Sequence, residues 1–367
     1  MVLFRNLNRS QNKYTFLMRI QFAVLALFVV ILFACTSTKE SPSDVIPDPI
    51  VLQVPEPFIN GEDEDLMLVF YLNILHDGTI AVADPGLMKI VVFDTDGTEQ
   101  YRFGSEGRGP AEITEITSFF EYNDHIYIGD RTQARLMKYS NQGEFISYLD
   151  YTTHRGSYGQ IAMVDTMSYV SASMGENGTL LKWYRPSTDS TSFWGQAFGD
   201  EYVFGDLTIQ NDILKKGEIP PSTMNNVILT SDKSHVYTFL TAHGVVQQYD
   251  LNGNLNWQTE VKLPINDYIF QDAVRRANEL TMPGVAATFS LASGFKVIDG
   301  NVYILSNYVE KLDRSLVKIS SDGLILAHYQ IPATPNRYFD FTIDPKTEIL
   351  YLAAPESGEI YQVSLNR

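Results

Sequence analysis

From residue 49 onward, apolar and polar residues alternate in short runs, a pattern that predicts β-strands. Residues 77–84 and 88–97 show the plan most clearly: a turn, an alternating strand, a short loop, a second alternating strand and a glycine that closes a hairpin. The same plan recurs at 123–143, 234–253 and 299–323. This recurrence predicts an architecture built from repeated antiparallel units.

The glycines that close these hairpins give the length of the repeat: Gly97, Gly143, Gly253 and Gly323. The first interval is roughly 45 residues, which is typical of a β-propeller blade. The second is two such periods with an insertion, so a diverged unit must lie between, with strands at 169–173 and 179–186. The last unit has strands at 339–344, 349–354 and 359–365, and the chain then stops one strand short of a four-stranded blade.

The missing strand is available at the other end of the chain, where I-V-L-Q-V at 50–54 precedes the first blade without a partner. Pairing it with the last blade would remove two exposed sheet edges. We therefore predict an all-β fold: one six-bladed β-propeller over residues 49–367, with four-stranded antiparallel blades and an amino-terminal strand that closes the last one. A sandwich or a two-domain fold is the alternative, but it would leave the regular spacing unexplained.

Two segments interrupt the period. Residues 199–226 are rich in Gly, Pro and Asn and are predicted to form a long loop. Residues 267–282 place Phe270, Ala273 and Ala277 at helical spacing, and Pro283 follows as a stop. This second insertion is predicted to be one short amphipathic helix.

The first 34 residues have the layout of an export signal. They carry basic residues and no acidic ones, and an apolar run from 20 to 34 follows. The run ends Leu-Phe-Ala-Cys, which resembles the site cleaved by the lipoprotein signal peptidase, so Cys35 is the expected lipidation site. Residues 35–48 then read as a flexible tether. We expect a cell-envelope protein held to the membrane only by its lipid; an uncleaved amphiphilic anchor is the alternative.

Charge and cysteine content narrow the range of partners. The whole chain has a formal net charge of −17, and removal of the basic leader makes it more negative. Nucleic acid is therefore not an expected partner, because phosphate binding needs clustered Lys and Arg. Cys35 is the only cysteine, so no disulfide is expected and the fold must depend on its apolar core.

Residues 80–112 resemble an NHL repeat and its closing loop, within the superfamily that also includes TolB-like propellers. They are more closely similar to the six-bladed propeller lipoproteins of Bacteroidetes, which usually carry a G-x-G-P-G-E loop after the first blade. Gly107, Gly109, Pro110 and Glu112 match that loop, while Ala111 replaces its third glycine. The resemblance implies the fold and a lipid anchor more than an activity, since fold does not fix function.

Polar residues at strand ends and in loops between blades are the candidate ligand-binding groups. Asp84 and Asp130 each end a strand, at the place where NHL-type repeats carry an Asp, and Arg131 follows the second. A structural role, in which the Asp caps a turn, competes with a binding role. Loops between blades supply the remaining candidates, which would form a charged rim if they share one face: Arg108, Glu112, His154 and Arg155.

Common catalytic motifs such as H-E-x-x-H, the phosphate-binding loop and G-x-S-x-G do not occur in the sequence, so no cofactor and no metal are predicted. We therefore expect a non-enzymatic binding or scaffold protein that uses one propeller face or the channel mouth to hold a peptide, a glycan or an envelope protein. The alternative is a metal-dependent hydrolase or lyase with its site in the central channel, which requires carboxylate, Asn or His ligands from at least three blades.

Overall fold

The computed structural model describes residues 45–153, 160–199, 207–282 and 284–366. Six sheets form a ring, so the predicted six-bladed propeller is confirmed. Cys35, His154 and Arg155 lie outside the described residues. Within each blade the first strand is innermost and the chain proceeds outward through antiparallel neighbours.

The first three blades follow one another along the chain. Blade one contains β3 (Tyr71–Ile74), β4 (Ile80–Asp84), β5 (Lys89–Phe93) and β6 (Glu99–Phe103). Blade two contains β7 (Ser118–Glu121), β8 (His125–Asp130), β9 (Arg135–Ser140) and β10 (Phe145–Asp150). Blade three contains β11 (Ile161–Asp165), β12 (Ser168–Ala172), β13 (Leu181–Arg185) and β14 (Ser190–Trp194), with 3₁₀ turns at Glu176–Gly178 and Pro186–Thr188.

The last three blades include the two amino-terminal strands, β1 (Ile50–Val51) and β2 (Glu56–Ile59). Blade four contains β15 (Val227–Ser231), β16 (His235–Leu240), β17 (Val245–Asp250) and β18 (Leu255–Glu260). Blade five contains β19 (Ala292–Ile298), β20 (Asn301–Ser306), β21 (Arg314–Ile319) and β22 (Ile325–Ile331). Blade six contains β23 (Asp340–Asp344), β24 (Ile349–Ala354) and β25 (Glu359–Ser364).

The core lies between neighbouring blades because the second strand of each blade, and the third strand in most of them, buries side chains on both faces. In blade one, β4 is buried throughout and β5 is buried after its first residue. Alternate residues of one strand therefore enter different clusters: Ala81 packs toward blade two and Val82 toward blade six. Burial on both faces explains the nearly continuous apolar runs of these strands.

An amino-terminal strand closes the ring, as predicted, but it is a different segment. Blade six is completed by β2, which pairs antiparallel with β25, and Ile59 faces Ile360. The prediction that residues 50–54 pair with blade six is wrong. Of this segment, Ile50 and Val51 form the short strand β1, which pairs in parallel with the outer strand of blade five. Pro57 suits an outer strand because a residue without N–H must stand where no ladder bond is required.

In the described ranges, three α-helices interrupt the strands: α1 (Leu207–Lys215), α2 (Pro221–Met224) and α3 (Pro264–Glu279). The predicted helix at 267–282 is therefore real, but it begins and ends three residues earlier. The prediction of a long loop at 199–226 is wrong, because α1 and α2 lie within this segment. Leu214 of α1 and Ala273 of α3 belong to one buried cluster, so the helices cover the core beside blades four and five. None of the helices in the described ranges is sufficiently long and apolar to span a bilayer.

Candidate functional site

The innermost strands of the six blades surround a central channel of about 500 Å³. Its wall is formed by β3, β7, β11, β15, β19 and β23. Turns between the first and second strands border one end, which we call the hairpin face. Connections between blades border the other end, which we call the loop face. Ligand pockets commonly measure roughly 300–1,000 Å³, so the channel has the size of a small-molecule or short-segment site.

A buried ion pair joins three blades at the channel wall. Lys296 Nζ lies 2.9 Å from Asp340 Oδ2, and both side chains are largely buried. The ammonium group also donates to Leu72 O and, at 3.4 Å, to Asn73 Oδ1. The same Asp340 oxygen accepts the Leu72 N–H at 2.9 Å. An ammonium has three donors, so Lys296 is fully engaged and its charge is matched.

One polar group of the wall has no protein partner. Gln160 lines the channel just before β11, and its Oε1 is buried without a hydrogen-bond donor among the described residues. A buried acceptor left unpaired costs about 1–3 kcal/mol. Native proteins keep few such atoms, and those they keep usually meet water or a ligand.

Glu121 ends β7 on the hairpin face of the channel. Its carboxylate accepts hydrogen bonds from His76 N at 3.2 Å and Asn141 Nδ2 at 3.0 Å. Burial raises the pKa of Glu121 above its ordinary value, against the effect of these hydrogen bonds. Its position among backbone and amide donors identifies it as a positioned acceptor in the wall.

The loop that carries the G-x-G-P-x-E sequence folds back on itself between blades one and two. Glu112 turns its carboxylate inward and accepts the Gly109 N–H at 2.7 Å. A Cβ added at Gly107 would overlap that carboxylate, and the backbone there has φ +152°, so glycine is required. Gln133 Nε2 and Arg135 Nη1 hold the loop to blade two through Glu112 O and Gly109 O, both at 2.9 Å. Glu112 thus stabilises the fold of this loop through a hydrogen bond inside it.

Asp130 is fully buried and serves the same inter-blade connection. Its carboxylate accepts the Thr114 N–H at 2.7 Å and the Gln133 N–H at 2.9 Å. Asp84 repeats this arrangement in blade one, where it accepts the Met67 N–H at 2.7 Å and the Gly86 N–H at 2.8 Å. In both blades the aspartate at the end of the second strand anchors the chain that enters that blade.

The remaining predicted residues do not form one rim within the described part of the chain. Arg131 Nη2 pairs with Glu115 Oε1 at 2.8 Å beside the loop, with both side chains partly exposed. Arg108 is exposed at the tip of the Gly-rich loop. Among the candidates that the structure describes, none belongs to the channel wall. The residues that do, Lys296 and Asp340, were missed, although each is a charged residue beside apolar residues at the inner strand of a blade.

The metal-site alternative requires several ligands that converge. Within the described ranges, no three His, Cys, Asp or Glu side chains lie close enough together to hold a metal ion. Asp340 is already paired with Lys296, and Glu121 is already occupied by amide donors. The donor set of the described channel wall therefore does not fit a divalent cation.

Comparison with known proteins agrees with the fold. The sequence profile of the family DUF5128, described as a 6-bladed beta-propeller, matches residues 58–170. No curated protein matches the chain in sequence.

Solved structures with the same fold come from several bacteria. A member of the DUF4221 family from Bacteroides vulgatus is 10% identical, with a TM-score of 0.53, and the match covers 87% of this chain and 96% of that one. A putative exported protein from Bacteroides fragilis is 11% identical, with a TM-score of 0.50 and coverage of 89% and 96%. Virginiamycin B lyase from Staphylococcus aureus is 10% identical, with a TM-score of 0.44 and coverage of 81% and 80%. At these identities the likeness to the two Bacteroides proteins shows the propeller fold alone.

Proposed function

We propose that this protein is a binding protein of the cell envelope that holds a short segment of a peptide or glycan, or of a partner protein, in its central channel. The observation that carries the proposal is the channel wall itself. Its charged groups Lys296 and Asp340 satisfy each other, whereas Gln160 Oε1 in the same wall has no partner among the residues that the structure describes. A wall with matched charges and an unpartnered neutral acceptor suits recognition by hydrogen bonding.

The envelope location rests on the sequence. The basic and then apolar leader and the Leu-Phe-Ala-Cys run support export followed by lipidation at Cys35. The same propeller fold occurs in the putative exported protein of Bacteroides fragilis. In this proposal the lipid is the protein's contact with the membrane, and the propeller remains available to ligands from outside the cytoplasm.

The proposal is tested by plugging the channel. The purified full-length protein in detergent is applied to peptide and glycan arrays beside two variants, Thr230→Trp on β15 and Gln160→Trp before β11, both in the channel wall. Thr191→Trp on the outer strand β14 is the matched control. We expect wild type and the control to bind the same array members and both plugged variants to lose them.

The thermal unfolding midpoint of each variant is measured first, and only variants that are folded at the assay temperature are used to judge loss of binding. Binding that survives both tryptophan plugs would place the ligand elsewhere and overturn the proposal. An absence of binding by wild type to every array member would also overturn it for peptides and glycans.

A further inference from the structure

A second buried cation lies in blade five behind the channel wall, and its environment differs from that of Lys296. Arg314 begins β21 and is only 3% exposed. Its guanidinium donates to Ser306 O, to Tyr338 O and, at 2.6 Å, to Ser293 Oγ. All of these acceptors are neutral. Among the residues that the structure describes, no carboxylate lies within 4.0 Å of this guanidinium.

Within the described part of the chain, the positive charge of Arg314 is therefore buried without a counter-charge. Burial lowers the pKa of Arg314 to about 9, and the group remains cationic at neutral pH. A buried charge that lacks an opposite partner is unfavourable even when its hydrogen bonds are satisfied. An anion placed nearby would relieve that cost.

Ser293 connects this charge to the channel. It lines the channel near the start of β19, where the pairing shifts between Ala292 and Gly294 and leaves Ser293 in a β-bulge. Bulges redirect side chains and are frequent next to functional sites. The Ser293 oxygen accepts from Arg314, and its own proton meets no acceptor among the described residues. A hydroxyl that accepts from a cation becomes a stronger donor.

The backbone next to Ser293 is tightly packed against blade six. A Cβ added at Gly294 would lie 2.7 Å from the Phe341 ring, so only glycine fits there. Lys296 and Asp340 cancel each other nearby, whereas Arg314, which contacts Ser293 but does not line the channel, has no carboxylate partner among the described residues. A buried cation beside the wall favours an anionic group of the ligand at Ser293, although the net charge of the whole chain is −17.

From this arrangement we infer that the channel wall between blades five and six binds a carboxylate group of the ligand, with the Ser293 hydroxyl as its donor and Arg314 as the charge behind it. This inference rests on the proposed function, because it names the chemical group that the channel recognises. A peptide carboxyl terminus, an acidic side chain and a uronic acid each present that group.

The test uses acetate as the probe and acetamide as its neutral isostere. Binding to the purified full-length protein is followed by NMR line broadening of the methyl signal at constant ionic strength. We expect saturable acetate binding, no saturable acetamide binding, and about tenfold weaker acetate binding in Ser293→Ala, since a hydrogen bond to a charged group contributes about that factor. Ser293→Thr, which keeps the hydroxyl, should restore it, and Thr191→Ala on the outer strand β14 should leave it unchanged.

Acetate binding that is unaltered in Ser293→Ala, or equal binding of acetamide, would overturn the inference. The absence of saturable acetate binding by wild type would do so as well. The array experiment distinguishes the two claims: channel-dependent binding of array ligands without acetate binding would leave the proposed function in place and remove only the carboxylate site.

Discussion

Lys296 Nζ stands 2.9 Å from Asp340 Oδ2 and thereby ties blade five to blade six, while the same carboxylate accepts the Leu72 N–H of blade one. Three blades thus meet at one buried ion pair beside the place where the ring closes. Removing one member of such a pair leaves the other charge buried and unmatched, which costs about 3–5 kcal/mol.

We therefore expect Lys296→Met to lower the free energy of unfolding by about 3–5 kcal/mol in urea titrations. Lys262→Met is the matched control, because Lys262 pairs with Glu260 at an exposed site where ion pairs contribute about 0–1 kcal/mol. Equal unfolding free energies for the two variants would show that the Lys296–Asp340 pair does not hold the ring together.

Because β2 closes the ring, we expect Ile59 in β2 to contribute much more to the stability of the protein than Val51 in β1. Ile59 is 2% exposed in the strand that completes blade six, whereas Val51 is 59% exposed at the edge of blade five. Ile59→Ala should destabilise the protein by about 2–5 kcal/mol through the cavity it leaves. Val51→Ala should change the stability by less than about 0.5 kcal/mol. Unfolding midpoints of both variants give the comparison, and a larger effect at Val51 would favour closure by residues 50–54 instead.

Asp130 predicts a specific dependence of stability on pH. Burial alone would raise the pKa of Asp130, but hydrogen bonds from Thr114 and Gln133 outweigh it and hold the pKa below the ordinary value. A carboxyl whose pKa is lower in the folded state stabilises the protein above its unfolded pKa of about 3.9. That contribution is lost as the pH falls through the folded value.

Asp130→Asn should therefore flatten the loss of unfolding free energy below about pH 4. It should also speed hydrogen exchange at the Thr114 amide, because this N–H donates a hydrogen bond to the Asp130 carboxylate. Asp48→Asn, at an exposed site, is the control. If both variants follow the wild-type pH curve, Asp130 does not anchor the inter-blade connection.

Lipidation predicts a simple labelling result. Cells grown with labelled palmitate should incorporate the label into wild-type protein, and Cys35→Ser should abolish it and move the protein out of the membrane fraction. Label retained in Cys35→Ser would contradict lipidation at this cysteine. An unlabelled wild-type protein that stays in the membrane fraction would favour the uncleaved amphiphilic anchor.

The repeat was predictable because its signal is local. Gly97, Gly143, Gly253 and Gly323 all adopt positive φ in hairpins, which is the conformation for which glycine is selected. The closing strand was not predictable in the same way, because pairing across the ring depends on where the chain ends meet. The apolar run at 50–54 is the more strand-like sequence, yet β2 with its Pro57 takes the place next to β25.

The site was harder to predict because its residues are brought together by the ring. Asp130 and Glu112 belong to visible motifs, and the structure uses both to shape a connection between blades. Lys296 and Asp340 stand more than forty residues apart and meet only after blades five and six pack together. Arg314 and Ser293 likewise meet through the β-bulge, which residue spacing does not reveal.

Hydrogen exchange measured with and without a ligand selected on the arrays tests most directly the claim that the channel is the binding site. A ligand held in the channel should slow exchange in the inner strands β3, β15 and β19 and leave exchange in the outer strands β6 and β14 unchanged. Protection confined to the outer strands or to α1 and α3 would contradict it.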